Sequence, residues 1–278
     1  MAEVGINHNG NIHNCFEMIH IAKWAGCDAV KFQTFKAKGV CTSDQVFTYL
    51  SCSQGRKVIE PRINIFMRAE LPDSAWPIIK AECDREGIIF MSTPQNPSDL
   101  DLLLKVGIPA IKIGSDDLTN LEMLRYCSRD DVGLPIILSC GMGDMAEIIQ
   151  AWHIVGTANS ALLVCTSQYP CHAEQANLSR IETLRGTYPM YPVGFSDHTQ
   201  GTIAATTAVG LGACVFEKHF TLNHDLPGPD HWWSANPKEL SEWVDAIRTA
   251  HVMLGDGIIR PSEKELENKA KYQRKIPA

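Results

Sequence analysis

The sequence predicts a closed (β/α)8 TIM barrel in the α/β class. Eight short apolar runs of strand length alternate with amphipathic segments of helical length, and this alternation accounts for most of the 278 residues. A parallel sheet made of such units either closes into a barrel or stays open as a doubly wound sheet. No Gly-x-Gly-x-x-Gly fingerprint follows the first run, which makes the open dinucleotide-binding sheet the weaker alternative.

The elements follow in order along the chain. The predicted strands are Ala2–Ile6, Ala29–Gln33, Ile88–Ser92, Ala110–Ile113, Pro135–Ser139, Leu162–Cys165, Pro192–Ser196 and Val215–His219. The predicted helices are Cys15–Ala25, Asp73–Glu86, Asn96–Val106, Asn120–Arg129, Asp144–Thr157, Leu178–Thr187, Thr199–Leu211 and Asn236–Leu254. Residues 34–70 interrupt the alternation of strands and helices, and we expect them to form an insertion over one end of the sheet. The barrel should span 1–260, and 261–278 should form a C-terminal helix and the start of a linker.

Composition excludes several classes of function. With 45% apolar and 21% charged residues, the chain can bury the large core of a single domain. A net charge of −7 without a long basic run argues against nucleic acid as a partner. The ten cysteines are scattered without a Cys-x-x-Cys pair, as in cytoplasmic proteins with reduced thiols. No apolar run has membrane-spanning length, and no signal segment is visible, so we expect a soluble, cytoplasmic protein without a membrane partner.

Two neighbouring strand ends predict a metal site. Strand side chains alternate between faces, so Ser196 and His198 share one face, and Glu217 and His219 share one face of the next strand. Two imidazoles and a carboxylate suit a divalent cation that keeps open positions for water or substrate. The alternative is a pair of buried, hydrogen-bonded histidines without a metal.

Two lysines inside apolar strands predict an anion site. Burying Lys31 and Lys112 is costly unless each ammonium group meets a negative charge. Hydroxyl donors stand at other strand ends, namely Ser115, Ser139 and Ser196. Together these groups could hold a phosphate or a carboxylate. The alternative is that each lysine pairs with a nearby acid such as Glu3 or Asp117 and only stiffens the barrel.

A series of motifs resembles the sialic acid synthase family, which makes N-acetylneuraminic, legionaminic and pseudaminic acids and includes spore-coat polysaccharide relatives. The motifs run in one order along nearly the whole chain: AEVGINHNG (2–10), VKFQ (30–33), MSTP (91–94), KIGSDDL (112–118), LSCGM (138–142), CTSQYP (165–170), GFSDHT (194–199), EKHF (217–220) and GPDH (228–231). Ser167 and Asp117 stand where sialic acid synthases commonly have Asn and Glu. These two positions are more similar to the legionaminic, pseudaminic and spore-coat branches.

The resemblance implies a reaction and roles for residues. Phosphoenolpyruvate would condense with the open-chain aldehyde of an N-acylated aminohexose, similar to N-acetylmannosamine or a diacetamido-dideoxyhexose, and give a nonulosonic acid and phosphate. His198 and His219 would hold a divalent ion, usually Mn²⁺, with Mg²⁺ or Co²⁺ as alternatives. Glu217, Glu3 and Asp230 would be catalytic. The substrate-binding set would be Lys31, Gln33, Lys112, Ser115, Asp117, Ser139, Ser167, Tyr169 and Ser196.

Several further expectations complete this interpretation. Trp232 and Trp233 are either specificity residues or ordinary packing. Family members usually continue into a small antifreeze-like domain that reaches the partner's active site in a homodimer, and the given sequence ends before such a domain. We therefore expect metal and phosphoenolpyruvate binding to be retained and sugar binding to be weaker unless another chain supplies the contact. The alternative functions are a class II metal-dependent aldolase and a catalytically silent sugar-acid-binding barrel.

Overall fold

Eight parallel strands form the barrel in the computed structural model, which describes residues 1–41, 45–157 and 159–274. The barrel strands are β1 (Ala2–Gly5), β2 (Ala29–Thr34), β5 (Ile89–Pro94), β6 (Ile111–Ile113), β7 (Ile136–Ser139), β8 (Ala161–Cys165), β9 (Val193–Asp197) and β10 (Phe216–His219). The strands β3 (Val46–Ser51) and β4 (Arg56–Pro61) form a separate hairpin. The barrel ladder runs β5-β2-β1-β10-β9-β8-β7-β6, and its two end strands lie side by side. The barrel is therefore nearly closed, which confirms the predicted fold.

Helices follow the barrel strands and surround them. They are α1 (Ile12–Trp24), α2 (Ala37–Val40), α3 (Arg62–Ala69), α4 (Ala75–Glu86), α5 (Pro97–Val106), α6 (Leu121–Cys127), α7 (Met145–Val155), α8 (Ala173–Ala176), α9 (Arg180–Thr187), α10 (Ile203–Gly210), α11 (Pro237–Leu254) and α12 (Glu263–Tyr272). Capping boxes at Asp144 and Asn236 start α7 and α11, where the side chain of each cap accepts a hydrogen bond from the third helical residue. The boundaries lie within a few residues of the predicted ones.

A buried polar network ties the last two barrel strands to α11. Asp197 on β9 is fully buried, and one of its oxygens accepts hydrogen bonds from Lys218 Nζ on β10 at 3.2 Å and Trp243 Nε1 on α11 at 2.8 Å. Its other oxygen accepts from the backbone and hydroxyl of Thr199. Because Asp197 and Lys218 face the helices, strand alternation turns their chain neighbours toward the barrel interior. The network therefore fixes the two strands that carry the predicted metal ligands.

The segment between β2 and α4 lies over one end of the barrel. It contains α2, the antiparallel hairpin β3–β4 and α3. A second, smaller core joins it to the barrel, where Phe35 and Phe66 pack with Ile6, which follows β1. The backbone of α3 also meets the loop after β1, since a side chain at Gly10 would lie 2.2 Å from the carbonyl oxygen of Arg68. The segment therefore covers the carboxyl ends of β1 and β2.

Three further expectations concern the cysteines, membrane-spanning helices and the C-terminal helix. All ten cysteines, which lie within the described ranges, are free. In the part of the chain that the structure describes, no helix combines the length and apolarity needed to cross a bilayer. The predicted C-terminal helix corresponds to α12, whose residues are exposed. Residues 275–278 of the predicted linker lie outside the described residues.

Candidate active site

One cavity of about 440 Å³ opens at the carboxyl ends of the barrel strands. It is lined by almost every residue that the sequence singled out: Glu3, Lys31, Gln33, Lys112, Ser115, Ser139, Ser167, Tyr169, Ser196, His198, Glu217, His219 and Asp230. These residues come from strands on all sides of the barrel. The fold therefore gathers them into one place, as expected for the carboxyl end of a barrel.

Asp117 is the exception. The chain leaves β6 through a single turn of 3-10 helix, Ser115–Asp117, which places Asp116 on the cavity wall and turns Asp117 away. The Asp117 carboxylate instead accepts a hydrogen bond from Asn120 Nδ2 at 2.8 Å, close to the start of α6. The substrate contact that the resemblance implied for Asp117 does not fit this placement, because the 3-10 turn points consecutive side chains in different directions.

Two lysines and two glutamates form a buried charge cluster on the cavity floor. Lys31 Nζ lies 2.6 Å from Glu3 and 3.7 Å from Glu217, while Lys112 Nζ lies 4.0 Å from Glu217. Lys31 thus has the acidic partner that the simpler interpretation expected. Lys112 has no such close partner among the described residues, and its ammonium donates to Ser139 Oγ at 2.7 Å and to a backbone carbonyl. Lys112 is therefore the better placed of the two to meet an added anion.

The two glutamates have different pKa values. Burial alone would raise the pKa of Glu217, but Lys112 and Lys31 outweigh burial and hold that pKa at about 2. Ser196 Oγ adds to this effect because it donates to Glu217 at 3.1 Å. Burial raises the pKa of Glu3 to about 7, against the lowering effect of Lys31. Glu217 is therefore ionised near neutral pH, and Glu3 can exchange a proton there.

Small polar groups from three loops form a cradle beside Lys112. The Gly141 N–H donates to Ser115 Oγ at 3.0 Å, and the Ser115 hydroxyl can donate its own hydrogen to a ligand. Ser167 Oγ is buried and has no hydrogen-bond partner among the described residues. A Cβ atom at Gly141 would lie 2.5 Å from Ser167 Oγ and 2.7 Å from Ser115 Oγ. The absence of a side chain at Gly141 therefore keeps this cradle open.

The two predicted metal ligands face each other in the cavity. The rings of His198 and His219 lie 5.5 Å apart, centroid to centroid. His198 Nδ1 is 2.8 Å from the Thr166 carbonyl oxygen, to which it can donate, and this leaves the lone pair on Nε2. His219 Nδ1 is buried without a partner among the described residues, and burial, with neighbouring His198, lowers the pKa of His219 well below its usual value. His219 can therefore present a lone pair to a cation. His198 can do so in its neutral form, which the cation must favour, because Cys165 and Glu217 outweigh burial and raise the pKa of His198.

Glu217 does not complete the predicted set of two imidazoles and a carboxylate. Within the described ranges, the structure brings no group of three or more histidine, cysteine or acidic side chains into metal-binding geometry. The reason is that Ser196 and the lysines hold the Glu217 carboxylate on the floor of the cavity. A cation held by His198 and His219 would need oxygen ligands from water or substrate at its other positions.

The loop after β10 brings Asp230 to the cavity. Burial raises the pKa of Asp230 to about 6. Trp233 is buried behind the histidines, with its ring 4.9 Å from both Tyr169 and His219, and it does not line the cavity. Trp232 packs against the second core. The structure therefore favours packing over specificity for the two tryptophans.

Comparison with known proteins agrees with this geometry. The model of the NeuB family matches residues 18–259. The chain belongs to this family. It is 38% identical to the N,N'-diacetyllegionaminic acid synthase of Legionella pneumophila, over 99% of this chain and 78% of that protein. It is 35% identical to the spore coat polysaccharide biosynthesis protein SpsE of Bacillus subtilis, over 96% of this chain and 71% of that protein.

Solved structures agree with the family assignment. The N-acetylneuraminic acid synthetase of Leptospira borgpetersenii, solved with citrate, superposes with a TM-score of 0.82 and 32% identity, covering 99% of this chain and 92% of that one. These relatives are named as synthases of N,N'-diacetyllegionaminic acid and N-acetylneuraminic acid, and synthases of this kind form carbon–carbon bonds. The sialic acid synthase resemblance is therefore confirmed.

Some cavity residues of this NeuB-family barrel were not among the predicted site residues. They are Ile6, Phe47, Arg62, Phe66, Thr93, Gln95, Gly114, Asp116, Met142, Cys165 and Pro229. Thr93 and Asp116 stand at strand ends and carry the same signal as the predicted set. Cys165 is the last residue of β8, and its Sγ lies 3.8 Å from His198 Nδ1. Phe47, Arg62 and Phe66 belong to the segment between β2 and α4, which we call the covering segment. Its sequence has no periodicity that points to a site.

Proposed function

We propose that this chain condenses phosphoenolpyruvate with the open-chain aldehyde of an N-acylated aminohexose, giving a nine-carbon 2-keto sugar acid and free phosphate. The reaction would use a divalent metal ion, with Mn²⁺ as the expected ion. One observation carries the proposal: a cavity of a NeuB-family barrel holds both a facing pair of histidines and a lysine–serine cradle. A cation site and an anion site in one cavity suit the joining of a phosphorylated enol and an aldehyde.

The cradle supports binding of the phosphate group. Lys112 supplies the positive charge, and the hydroxyl groups of Ser115, Ser139 and Ser167 supply hydrogen-bond donors. The Ser139 hydroxyl accepts from Lys112, so its own hydrogen remains free. Ser196 was expected to join this set, but its hydroxyl donates to Glu217. We assign Ser196 to orienting Glu217.

The histidine pair fits a divalent cation. The unpartnered, buried Nδ1 of His219 and the carbonyl-oriented ring of His198 are the features that support this fit. When bound, the ion would polarise the aldehyde oxygen of the acceptor. Tyr169, whose ring lies 4.4 Å from His198, covers the pair from one side.

Three acidic residues of the cavity would stabilise charge and transfer protons during the reaction. When C3 of the enol bonds to the aldehyde carbon, positive charge develops at C2 of the former enol, and ionised Glu217 would stabilise it. Water then adds to C2, and Glu3, whose pKa is raised to about 7, would accept its proton. Asp230, with a pKa of about 6, would supply the proton that the new hydroxyl needs. Cleavage of the bond between C2 and the phosphate oxygen then releases phosphate, which takes the proton of the C2 hydroxyl, and leaves the keto group.

One assay separates this function from its alternatives. The purified chain is mixed with phosphoenolpyruvate, Mn²⁺ and a panel that includes N-acetylmannosamine and a diacetamido-dideoxyhexose. We expect phosphate release that depends on the acceptor and equals the amount of 2-keto acid formed. An aldolase would form product without acceptor-dependent phosphate release, and a silent barrel would do neither, so either result would refute the proposal. The homodimer and the cytoplasmic location stay predictions.

A further inference from the structure

The covering segment adds an arginine and two aromatic rings to the cavity wall. Phe47 comes from β3, Arg62 is the first residue of α3, and Phe66 lies one turn later on the same helix. We propose that these three residues bind the N-acyl group of the acceptor sugar. In this arrangement the Arg62 guanidinium donates to the acyl carbonyl oxygen, and the two rings pack against the acyl methyl group. The inference rests on the proposed function.

Among the described residues, Arg62 has donor capacity that no acceptor uses. Its Nη1 donates to Gln45 Oε1 at 3.3 Å. Its Nε is buried and has no hydrogen-bond acceptor within the described ranges. A buried donor without an acceptor costs about 1–3 kcal/mol, and Arg62 lines the cavity, so a ligand that accepts from its guanidinium would reduce that cost.

The two aromatic rings beside Arg62 indicate the chemical class of that ligand. The central carbon of the guanidinium lies 5.5 Å from the centre of the Phe47 ring and 5.2 Å from that of Phe66, which holds the planar group by cation–π contacts. A ligand at this place therefore meets one directed donor bordered by apolar surface. An acyl amide presents a carbonyl oxygen next to a methyl group and matches both features.

A sugar phosphate fits this place less well. A phosphate is usually held by several cations or backbone donors, as in the cradle around Lys112. Arg62 is the only cation that the covering segment contributes to the cavity within its described residues. The other basic cavity residues, Lys31 and Lys112, are fully buried on the barrel strands. We therefore assign the deep lysines to the anionic donor and Arg62 to the uncharged acyl group.

The position of Arg62 is set by packing rather than by a free loop. Ile65 and Phe66 of α3 are buried in the second core, together with Tyr49 of the hairpin. At the start of the segment, Lys36 donates to Asp73 at 2.6 Å. The guanidinium is thus placed before the sugar arrives, which reduces the entropy lost on binding.

The test compares Arg62→Gln with Arg56→Gln. Both changes remove one guanidinium from the same segment, but Arg56 is exposed on β4 and bonds only to Gln54 among the described side chains. For Arg62→Gln we expect the KM for N-acetylmannosamine to rise about 10- to 100-fold, as for the loss of one hydrogen bond to a charged group. The KM for phosphoenolpyruvate should change less than about twofold. Arg56→Gln should change neither.

A second measurement identifies the part of the sugar involved. In saturation-transfer NMR with N-acetylmannosamine alone, the acetyl methyl protons should receive the strongest saturation in the wild type, and Arg62→Gln should weaken it. An unchanged acceptor KM, or saturation centred on the ring protons, would overturn the inference. So would a loss confined to a 6-phosphorylated acceptor, which would show that Arg62 binds phosphate. If the wild type releases no phosphate with any acceptor, the proposed function fails, while the NMR still decides the inference.

Discussion

Replacing Gly141 with alanine should weaken phosphoenolpyruvate binding without unfolding the barrel. The added Cβ would lie 2.5 Å from Ser167 Oγ and 2.7 Å from Ser115 Oγ, and carbon–oxygen contacts this short do not persist in folded proteins. Both hydroxyl groups must therefore rotate away from the cradle. Gly141 does not have a left-handed backbone conformation, so alanine adds no backbone strain.

The size of the effect follows from the bonds that are lost. A hydrogen bond to a charged group contributes about 1.5–3 kcal/mol, and the substitution displaces two donors that face the phosphate. Partial compensation by water leaves an expected loss of about 3 kcal/mol, which corresponds to an approximately 100-fold higher Kd. The metal pair is untouched, so Mn²⁺ binding should stay as in the wild type.

Calorimetric titration with phosphoenolpyruvate, with and without Mn²⁺, measures this change. Gly186→Ala is the matched control because Gly186 lies in α9 and no atom outside its own helix and chain neighbours comes within 4 Å of an added Cβ. The control should keep the wild-type Kd and gain about 0.5–1 kcal/mol of stability from the better helix former. A Kd within about twofold of wild type for Gly141→Ala would refute the assignment of the cradle to phosphate.

Three further predictions concern the metal, the polar network and pH. His219→Ala should abolish metal-dependent turnover with little loss of stability, and full activity or unchanged Mn²⁺ binding by paramagnetic resonance would contradict the metal assignment. Asp197→Ala should cost about 3–5 kcal/mol in urea unfolding because it leaves the Lys218 charge buried and unpaired, whereas Asp28→Ala, which removes an exposed ion pair, should cost less than about 1 kcal/mol. Equal losses would refute that reasoning. Burial, with a neighbouring histidine, lowers the pKa of His8 from 6.5 to about 3. Between these two pH values the unfolded chain therefore binds a proton at His8 that the folded chain does not bind. The free energy of unfolding should therefore fall as pH drops through 6.5. At pH 5.5 it should be about 1.4 kcal/mol lower than at a pH well above 6.5, and His8→Asn should remove this part of the slope.

The barrel and most of its active site could be predicted because they depend on local patterns. A strand that carries Ser196 and His198 on one face must place both on the same side, wherever the strand lies in the sheet. Polar residues at the ends of successive parallel strands must meet at one end of a closed barrel. Periodicity and residue type were therefore sufficient to predict that His198, Glu217 and Lys112 lie in one cavity.

The motif resemblance did not predict the direction of side chains where the chain leaves β6. Asp116 and Asp117 follow β6 in a 3-10 turn, and neighbouring side chains in such a turn point in directions that two-residue alternation does not predict. The resemblance implied a substrate contact for Asp117, whereas the structure places Asp116 in the cavity. The predicted metal-ligand role of Glu217 failed for a different reason. Its carboxylate contacts Ser196 and two lysines from other strands, and these contacts hold it out of metal-binding geometry with the two histidines.

By itself, the sequence determined the barrel, the end of the barrel that holds the site and the chemical types of its side chains, since these follow from short-range spacing. Only the tertiary structure decided how the charges pair and what the covering segment contributes. Arg62 and Phe47 reach the cavity because the segment packs on residues after β1 and β2 through a small core of its own. Such packing depends on contacts between residues that are distant in the chain, and no local pattern encodes them.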